Sequence, residues 1–252
     1  MTELLALSIV SLIANTLSAL AGGGSGLLQL PILLFLGLAF PVALATHKVA
    51  SVALGLGATF KYLKAGTLNW RFSVLVLASG LPGVLIGTLL ILHIPEPWTL
   101  LILAFLTCGL GLYSLLSPAL GQQQQSRHRS GSKRWVGAAG LFFIGVLNGS
   151  FTSGTGLFVT LWLVHWFGMD YKRAVAYTMV LAGLFWNGAG AISLALQTDL
   201  HWPWIPVLLL ASALGGYLGA HWGLKQGNQI IKRCFESVTI LAGISLFIKA
   251  LY

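Results

Sequence analysis

The sequence predicts an all-α, polytopic membrane protein. It is expected to consist of two inverted repeats, each a broken or re-entrant helix hairpin followed by three transmembrane helices. Three observations carry this reading. The composition is apolar and poor in charge: of 252 residues, 57% are hydrophobic and 8% charged, with mean hydropathy +0.88. A soluble domain carries about 25% charged residues. The apolar stretches run to roughly 18–25 residues, the length a helix needs to cross the hydrocarbon, and the ten-residue alternation of a β-barrel is missing. Finally, two glycine-rich breaks occupy matching places in the two halves. The first is Ala21-Gly22-Gly23-Gly24-Ser25-Gly26. The second runs from Asn148 through Gly149, Ser150, Phe151, Thr152, Ser153, Gly154 and Thr155 to Gly156.

The first half, residues 1–118, opens with an apolar stretch at 4–21, then its break, then a short apolar piece at 27–38. Spans follow at 44–62, 72–93 and 98–116. Residues 119–134 form a polar, basic linker with four consecutive glutamines and Arg127, Arg129, Lys133 and Arg134; it reads as solvated. The second half, 135–252, repeats the plan: 135–150, the break, a short piece at 157–167, and spans at 174–196, 203–222 and 229–251. The offset between halves holds at about 130–132 residues. It brings Gly23-Gly24-Ser25-Gly26 onto Ser153-Gly154-Thr155-Gly156, His47 onto Thr178, Trp70 onto Trp202, and Gly83 and Gly87 onto Gly215 and Gly219. Stretch 4–21 ends in Ala19-Leu20-Ala21, which imitates a signal-peptidase site. It lacks the positive start of a signal peptide and is read as retained.

A dozen residues rise under about 20 Å, too short for a core of about 30 Å. Each short piece therefore belongs to a broken helix or to a hairpin that enters and returns. Charge favours the hairpin. Lys61, Lys64, Arg71, the linker, Lys172, Arg173, Lys225, Lys232 and Arg233 all face the cytoplasm only if 135–167 enters and leaves on one side. Three further crossings then invert the second half, an arrangement common in secondary transporters, and leave both termini outside.

Two such hairpins bring both breaks to mid-membrane, with the starts of the short helices facing one cavity. A helix start offers free N–H groups and partial positive charge, a ready anion site. Glycine lets backbone approach a ligand closely, and Pro31 is expected in the first turn of its helix, where a missing N–H costs little. The candidate substrate-binding residues are Gly22, Gly23, Gly24, Ser25, Gly26, Thr46, His47, Asn148, Thr152, Ser153, Gly154, Thr155 and Thr178. Such a site holds an anion by neutral dipoles, without a permanent buried cation that would trap it.

Plainer roles compete. The GxxxG spacings at Gly83/Gly87 and Gly215/Gly219 read as helix packing. His47 and Lys48 either face the site or sit at the interface, with Lys48 snorkelling. Glu236, one turn after Lys232, reads as a surface pair, with a proton-carrying role the weaker reading. Trp98, Trp135, Trp202 and Trp204 read as interfacial, while Trp186 and Asn187 lie within a span and read first as packing. Cys108 and Cys234 are isolated and read as small core residues.

The function classes narrow accordingly. Only five acidic residues exist, whereas cation pumps keep intramembrane carboxylates, so an anion or neutral substrate is expected. The net charge of +9 is spread over the connections and is no nucleic-acid signal. No metal spacing, cofactor motif or catalytic constellation is present, and an enzyme is not expected.

The stretch AGGGSGLLQLPILL, with its glycine cluster followed by Gln29-Leu30-Pro31, resembles the start of the TauE/SafE family of sulfite exporters. Ala43-Leu44-Ala45-Thr46-His47 is similar to that family's Ala-x-x-Thr-Ser segment, with His47 where Ser is usual. The second half, SFTSGTGLFVTLWLV, lacks the family's triple glycine and following proline. The resemblance covers the whole chain. It implies a multi-pass protein of a bacterial-type plasma membrane that moves a small sulfur-containing anion, sulfite or an organosulfonate, by alternating access. A channel-like anion conductor and a carrier of small carboxylates are the alternatives. The expected partners are the small anion and the lipid bilayer, with a homo-oligomer left open.

Overall fold

The computed structural model describes residues 2–90, 96–125, 127, 131–151 and 154–251. Among the described residues every regular element is helical. The ten helices are α1 (Thr2–Ala21), α2 (Gly26–Phe35), α3 (Phe40–Lys64), α4 (Trp70–Leu90), α5 (Glu96–Leu115), α6 (Ser132–Phe151), α7 (Thr155–His165), α8 (Tyr171–Ala195), α9 (Ile205–Lys225) and α10 (Asn228–Leu251). Five stretches are long and apolar enough to cross a membrane: α1, α3, α4, α8, and α9 with the turn before it. The protein is a polytopic membrane protein. Large apolar side chains such as Phe35, Phe60, Phe143, Ile192, Leu210 and Leu241 stand exposed around the bundle. Water would oppose such a surface, and lipid accepts it.

Local chemistry sets the helix starts. Pro41 opens α3, where its absent N–H would have had no partner. Asp170 caps α8 by accepting from the Arg173 N–H at 2.8 Å. Pro31 departs from expectation: α2 begins at Gly26, so Pro31 falls in its second turn. It there deletes one helical hydrogen bond.

At both glycine breaks the chain turns back on itself. The Trp162 indole of α7 donates to the Gly137 carbonyl of α6, and Trp166 donates to Lys133, each at 3.1 Å. These pairs run in opposite order along the two helices. In the first half the Gln29 amide of α2 donates to the Ser11 hydroxyl of α1 at 2.9 Å. A continuous helix would hold residues 11 and 29 about 27 Å apart.

The longer helices interlock through small residues. α4 lies along α6, and α1 along α9. A methyl group on Gly83 would strike the Phe142 carbonyl, and on Gly87 the Val146 carbonyl. Gly145 and Gly149 answer from α6 against Gly80 and Val84. On the other side Gly215 meets Leu12 and Asn15, and Gly219 meets Thr16. The GxxxG spacings are packing seams, as expected. α3 crosses α8 antiparallel, Gly55 against Gly183 and Lys48 against Gly190. α5 and α10 are also antiparallel, from Phe105 on Phe247 to Ser114 beside Glu236.

The connections rich in Lys and Arg gather at one end. The Gln125 N–H of the linker bonds the Gly168 carbonyl at 2.7 Å, Asn228 bonds Gln122, and Lys172 reaches the Leu224 carbonyl at 2.9 Å. Tyr177, near the start of α8, accepts from the Asn69 N–H at 2.6 Å. The linker is thus hydrogen-bonded to the second half at Gln122 and Gln125, while Gln123, Gln124, Gln125 and Arg127 are exposed, as expected of a solvated segment. The expected surface pair at this end is buried instead. Lys232 lies 3.2 Å from Glu236, and both side chains are about nine-tenths covered. Lys232 also donates to the carbonyls of Ser114 and Ser117 at 2.9 and 2.8 Å, and Ser114 donates to Glu236. Four residues apart on α10, the pair turns inward because it satisfies the open carbonyls ending α5.

Replacing Gly149 by leucine should force α4 from α6 and cost roughly 1–3 kcal/mol, the range for overpacking a tight contact. A lower melting temperature of purified protein in detergent is the expected outcome, read against the same change at lipid-facing Gly109, whose surroundings are open.

Candidate functional site

Three consecutive residues, Gly22, Gly23 and Gly24, have φ of 91°, 145° and 101°. Side-chain-bearing residues rarely adopt such values, so only glycine ends α1 and opens α2 this way without strain. Gly154 does the same before α7, with φ 76°. The two breaks touch. A methyl on Gly23 would run into the Gly156–Leu157 backbone, and one on Gly156 would meet Gly23 and the Gly22 carbonyl. Thr160 of α7 secures the contact by donating to the Gly22 carbonyl at 2.9 Å, and its oxygen lies 2.9 Å from the Thr178 hydroxyl.

Beside this contact is a small polar cavity of about 30 Å³. Its wall comprises Gly23, Gly24 and Ser25 from the first break, Thr155 and Gly156 from the start of α7, and Asn148 from the end of α6. Ser51 and Leu54, near the middle of α3, and Thr178 to Gly183, in the middle of α8, complete it with Ser18 and Asn187. The space suits a water or two. Asn148 donates its amide to Thr155 at 2.9 Å and approaches the Asn187 oxygen at 3.4 Å. The Ser18 hydroxyl is buried and has no hydrogen-bond partner among the described residues. Burying a hydroxyl unpaired is costly, so such a group calls for a guest.

Lys48 overturns the expectation of a site without a buried cation. Its side chain is fully buried and does not snorkel. The ammonium donates to the Asn148 carbonyl at 2.5 Å and to the Asn148 side-chain oxygen at 3.1 Å. The missing Cβ of Gly190 leaves room for the lysine stem. A cation at the end of α6 meets the negative end of that helix. It also fixes Asn148 with its amide turned toward Thr155.

Other expected residues fall differently. Gly22, Gly26 and Gly154 support the breaks behind the cavity wall. Thr46 is buried away from the cavity, its hydroxyl accepting from the His201 N–H at 3.1 Å. His47 also stands outside the wall. Its Nδ1 is 2.7 Å from the Gln29 Oε1, and its Nε2 is 3.2 Å from the Ser51 hydroxyl. Thr152 and Ser153 lie outside the described residues. Among the described residues no group of His, Cys, Asp and Glu could hold a metal ion.

The family model for the sulfite exporter TauE/SafE matches residues 7–246. The chain belongs to the TauE/SafE sulfite exporter family. It is a multi-pass membrane protein of a transporter family, not an enzyme. A probable membrane transporter protein of Haemophilus influenzae is 31% identical over 223 residues, covering 88% of this chain and 86% of its own. The probable membrane transporter protein YfcA of Escherichia coli K12 is 28% identical, with 90% and 82% covered. YunE of Bacillus subtilis, likewise a probable membrane transporter protein, is 24% identical with 98% of each chain covered.

Against this TauE/SafE background, Ser18 and Ser51 are the residues not foreseen, while Lys48, Gly156 and Asn187 stand outside the candidate set though the sequence draws attention to each. Ser11, Asn15 and Ser18 form a polar stripe on one face of an apolar helix. Asn187 is a polar residue within a span. The nine residues Thr178–Trp186 of α8 form a π-helical stretch, a feature found often at functional sites. No pattern in the sequence announces it. Trp186 itself is fully buried against Gly80 and packs, as first read.

Lys48→Met should remove a donor from both Asn148 oxygens and lower stability by about 1–3 kcal/mol, the cost of leaving buried acceptors without a partner. Thermal melting in detergent reads this directly, and an unchanged melting temperature would show that Asn148 is held without Lys48.

Proposed function

We propose that this TauE/SafE protein is a secondary transporter of a small oxyanion, sulfite or an organosulfonate, working by alternating access at the cavity between the breaks. One observation carries the reading. Two glycine breaks, each starting a short helix, meet at a polar cavity that holds an unsatisfied hydroxyl and stands beside a buried cation. An oxyanion satisfies the Ser18 hydroxyl, accepts from the Asn148 amide and the hydroxyls of Ser25 and Thr155, and draws on the positive ends of α2 and α7. Lys48 acts through Asn148 rather than as a direct ligand, which keeps the attraction moderate enough for release.

The helix pairing supports reading the two halves as an inverted repeat. The helices matched by the repeat offset, α3 with α8 and α5 with α10, cross antiparallel. The partnerships are also reciprocal: the first helix of each half lies along the second long helix of the other, α1 with α9 and α6 with α4. In such a design the two halves exchange conformations and open the same site to opposite faces. The smallness of the cavity favours a carrier over a channel. An oxyanion enters only when the walls part, and an open pore is not needed. The Lys- and Arg-rich end is assigned to the cytoplasm.

In proteoliposomes, labelled sulfite uptake is expected to saturate and to be competed by organosulfonates; flux rising linearly with concentration would instead indicate a channel. Ser18→Ala should leave the melting temperature unchanged, because no bond within the protein is lost, yet weaken sulfite binding by about tenfold, the worth of one hydrogen bond to an anion. Unaltered affinity would remove Ser18 from the site. A cysteine at Gln124 should be labelled only from the cytoplasmic side, and labelling from outside would reverse the assigned topology.

A further inference from the structure

His47 is buried in the helical core, yet it neither lines the cavity nor meets a carboxylate. Both ring nitrogens are engaged. The Gln29 amide spends its NH₂ on the Ser11 hydroxyl at 2.9 Å, and that hydroxyl lies in a cluster with Asn15 and Ser212. Gln29 therefore turns its oxygen to His47 Nδ1, which must carry the hydrogen. Nε2 is left with its lone pair facing the Ser51 hydroxyl, 3.2 Å away, a hydroxyl that rests by donating to the His47 carbonyl at 3.0 Å and turns to reach Nε2. Ser51 is part of the cavity wall. A single hydroxyl thus joins the imidazole to the central site.

The second half presents the same pair in neutral form. Gln29 and His47 are 18 residues apart and bonded; Thr160 and Thr178 are also 18 apart and lie within hydrogen-bond distance. Thr178 holds no exchangeable charge, so only the first half offers a titratable group at this position. The surroundings of His47 contain little else that titrates. Lys48, the next residue on α3, is charged, but its ammonium is turned to Asn148. α1 contributes Ser11 and Asn15, α2 contributes Gln29, and α9 contributes Ser212, none of them ionisable. His201 stands over Thr46 in the connection beyond α8. The titratable Tyr171, Lys172, Arg173 and Tyr177 of α8 lie at its far end, where Tyr177 meets Asn69.

We propose that His47 carries the proton coupled to anion movement, exchanging it with the central cavity through the Ser51 hydroxyl. The proton balance is simple. A hydronium in the opened cavity gives a proton to the Ser51 oxygen as the Ser51 hydroxyl proton passes to Nε2, leaving water, a restored hydroxyl and an imidazolium. The positive ring then travels with the bound anion, and the transfer reverses when the other face opens. A bound anion in the cavity attracts the imidazolium, so proton and anion load together. This rests on the transporter reading above.

Wild type and His47→Gln in proteoliposomes test it with two assays. The first is exchange of labelled sulfite at equal pH on both sides. The second is accumulation driven by an imposed pH gradient, repeated with methanesulfonate, which carries no proton of its own. The expected variant keeps exchange but loses gradient-driven accumulation of both anions by about tenfold, a typical coupling factor. Accumulation undiminished in the variant, or a wild type that exchanges sulfite but ignores the gradient, overturns the proposal. So does a variant that loses exchange as well, since His47 is then a structural support. A wild type that exchanges neither anion sinks the transporter reading itself.

Discussion

The contact between Gly23 and Gly156 is the constraint on which the rest of the arrangement depends. Two strands of non-helical backbone meet with no side chain between them. That closeness requires the positive φ values of Gly22 to Gly24, which only glycine adopts cheaply, and it requires α2 and α7 to start within reach of each other. Backbone that leaves the helical ladder inside a membrane has lost its internal hydrogen bonds. The N–H groups of Gly22 and Gly23 turn back to the Ser18 carbonyl, and the opposite half supplies the rest: Thr160 of α7 serves the Gly22 carbonyl of the first break. The cavity is the space left where these two irregular segments fail to fill the centre between α3 and α8.

The polar groups around that space fall into two sets with different duties. One set is fully satisfied: Lys48 with Asn148, Asn148 with Thr155, Gln29 with His47 and Ser11. In a low-dielectric interior such bonds are strong and orient their members tightly. The other set is left open, and Ser18 is its clearest member. A site that satisfied every donor internally would have nothing to offer an anion. One lined with bare cations would hold it too firmly to turn over. Lys48 avoids the second fault because its charge is spent on the oxygens of Asn148 and reaches the cavity only through the amide that Asn148 presents.

Much of this was legible in the sequence because the signals were strong and local. The ten helices fall within a few residues of the apolar stretches, and the glycine clusters mark both chain reversals. The GxxxG spacings foretold the α4–α6 and α1–α9 seams, since glycine four residues apart has few uses in a span beyond close approach. What escaped was tertiary. Lys48 near the start of a span looks like a snorkelling residue, and only the approach of α6 makes it a buried partner. Glu236 and Lys232 look like an exposed helical pair until the open carbonyls of α5 are brought beside them. Thr46 and His47 begin the span that follows the first break and its short helix, which makes both look like site residues, but a helix turns neighbouring side chains about 100° apart. From His47 it takes one further turn, to Ser51, to reach the cavity.

Residues matched by the repeat offset differ in chemistry, and under the proposed mechanism that difference matters. A pair of identical half-sites would present the same environment from either face, and the equilibrium between inward and outward forms would then be set by the membrane alone. Here the first half sets Gln29 and His47 where the second sets Thr160 and Thr178, while Lys48 of the first half reaches across to Asn148 of the second. Lys48 and the proposed proton carrier His47 thus sit on the first half, and Asn148, which Lys48 holds, sits on the second. Any motion that separates the halves must stretch the Lys48–Asn148 bonds, and any ligand that engages Asn148 competes with the arrangement Lys48 imposes. A ligand shifts a conformational equilibrium only through such a difference in contacts between states. Under the proposed alternating access, the bridge from Lys48 to Asn148 supplies such a difference.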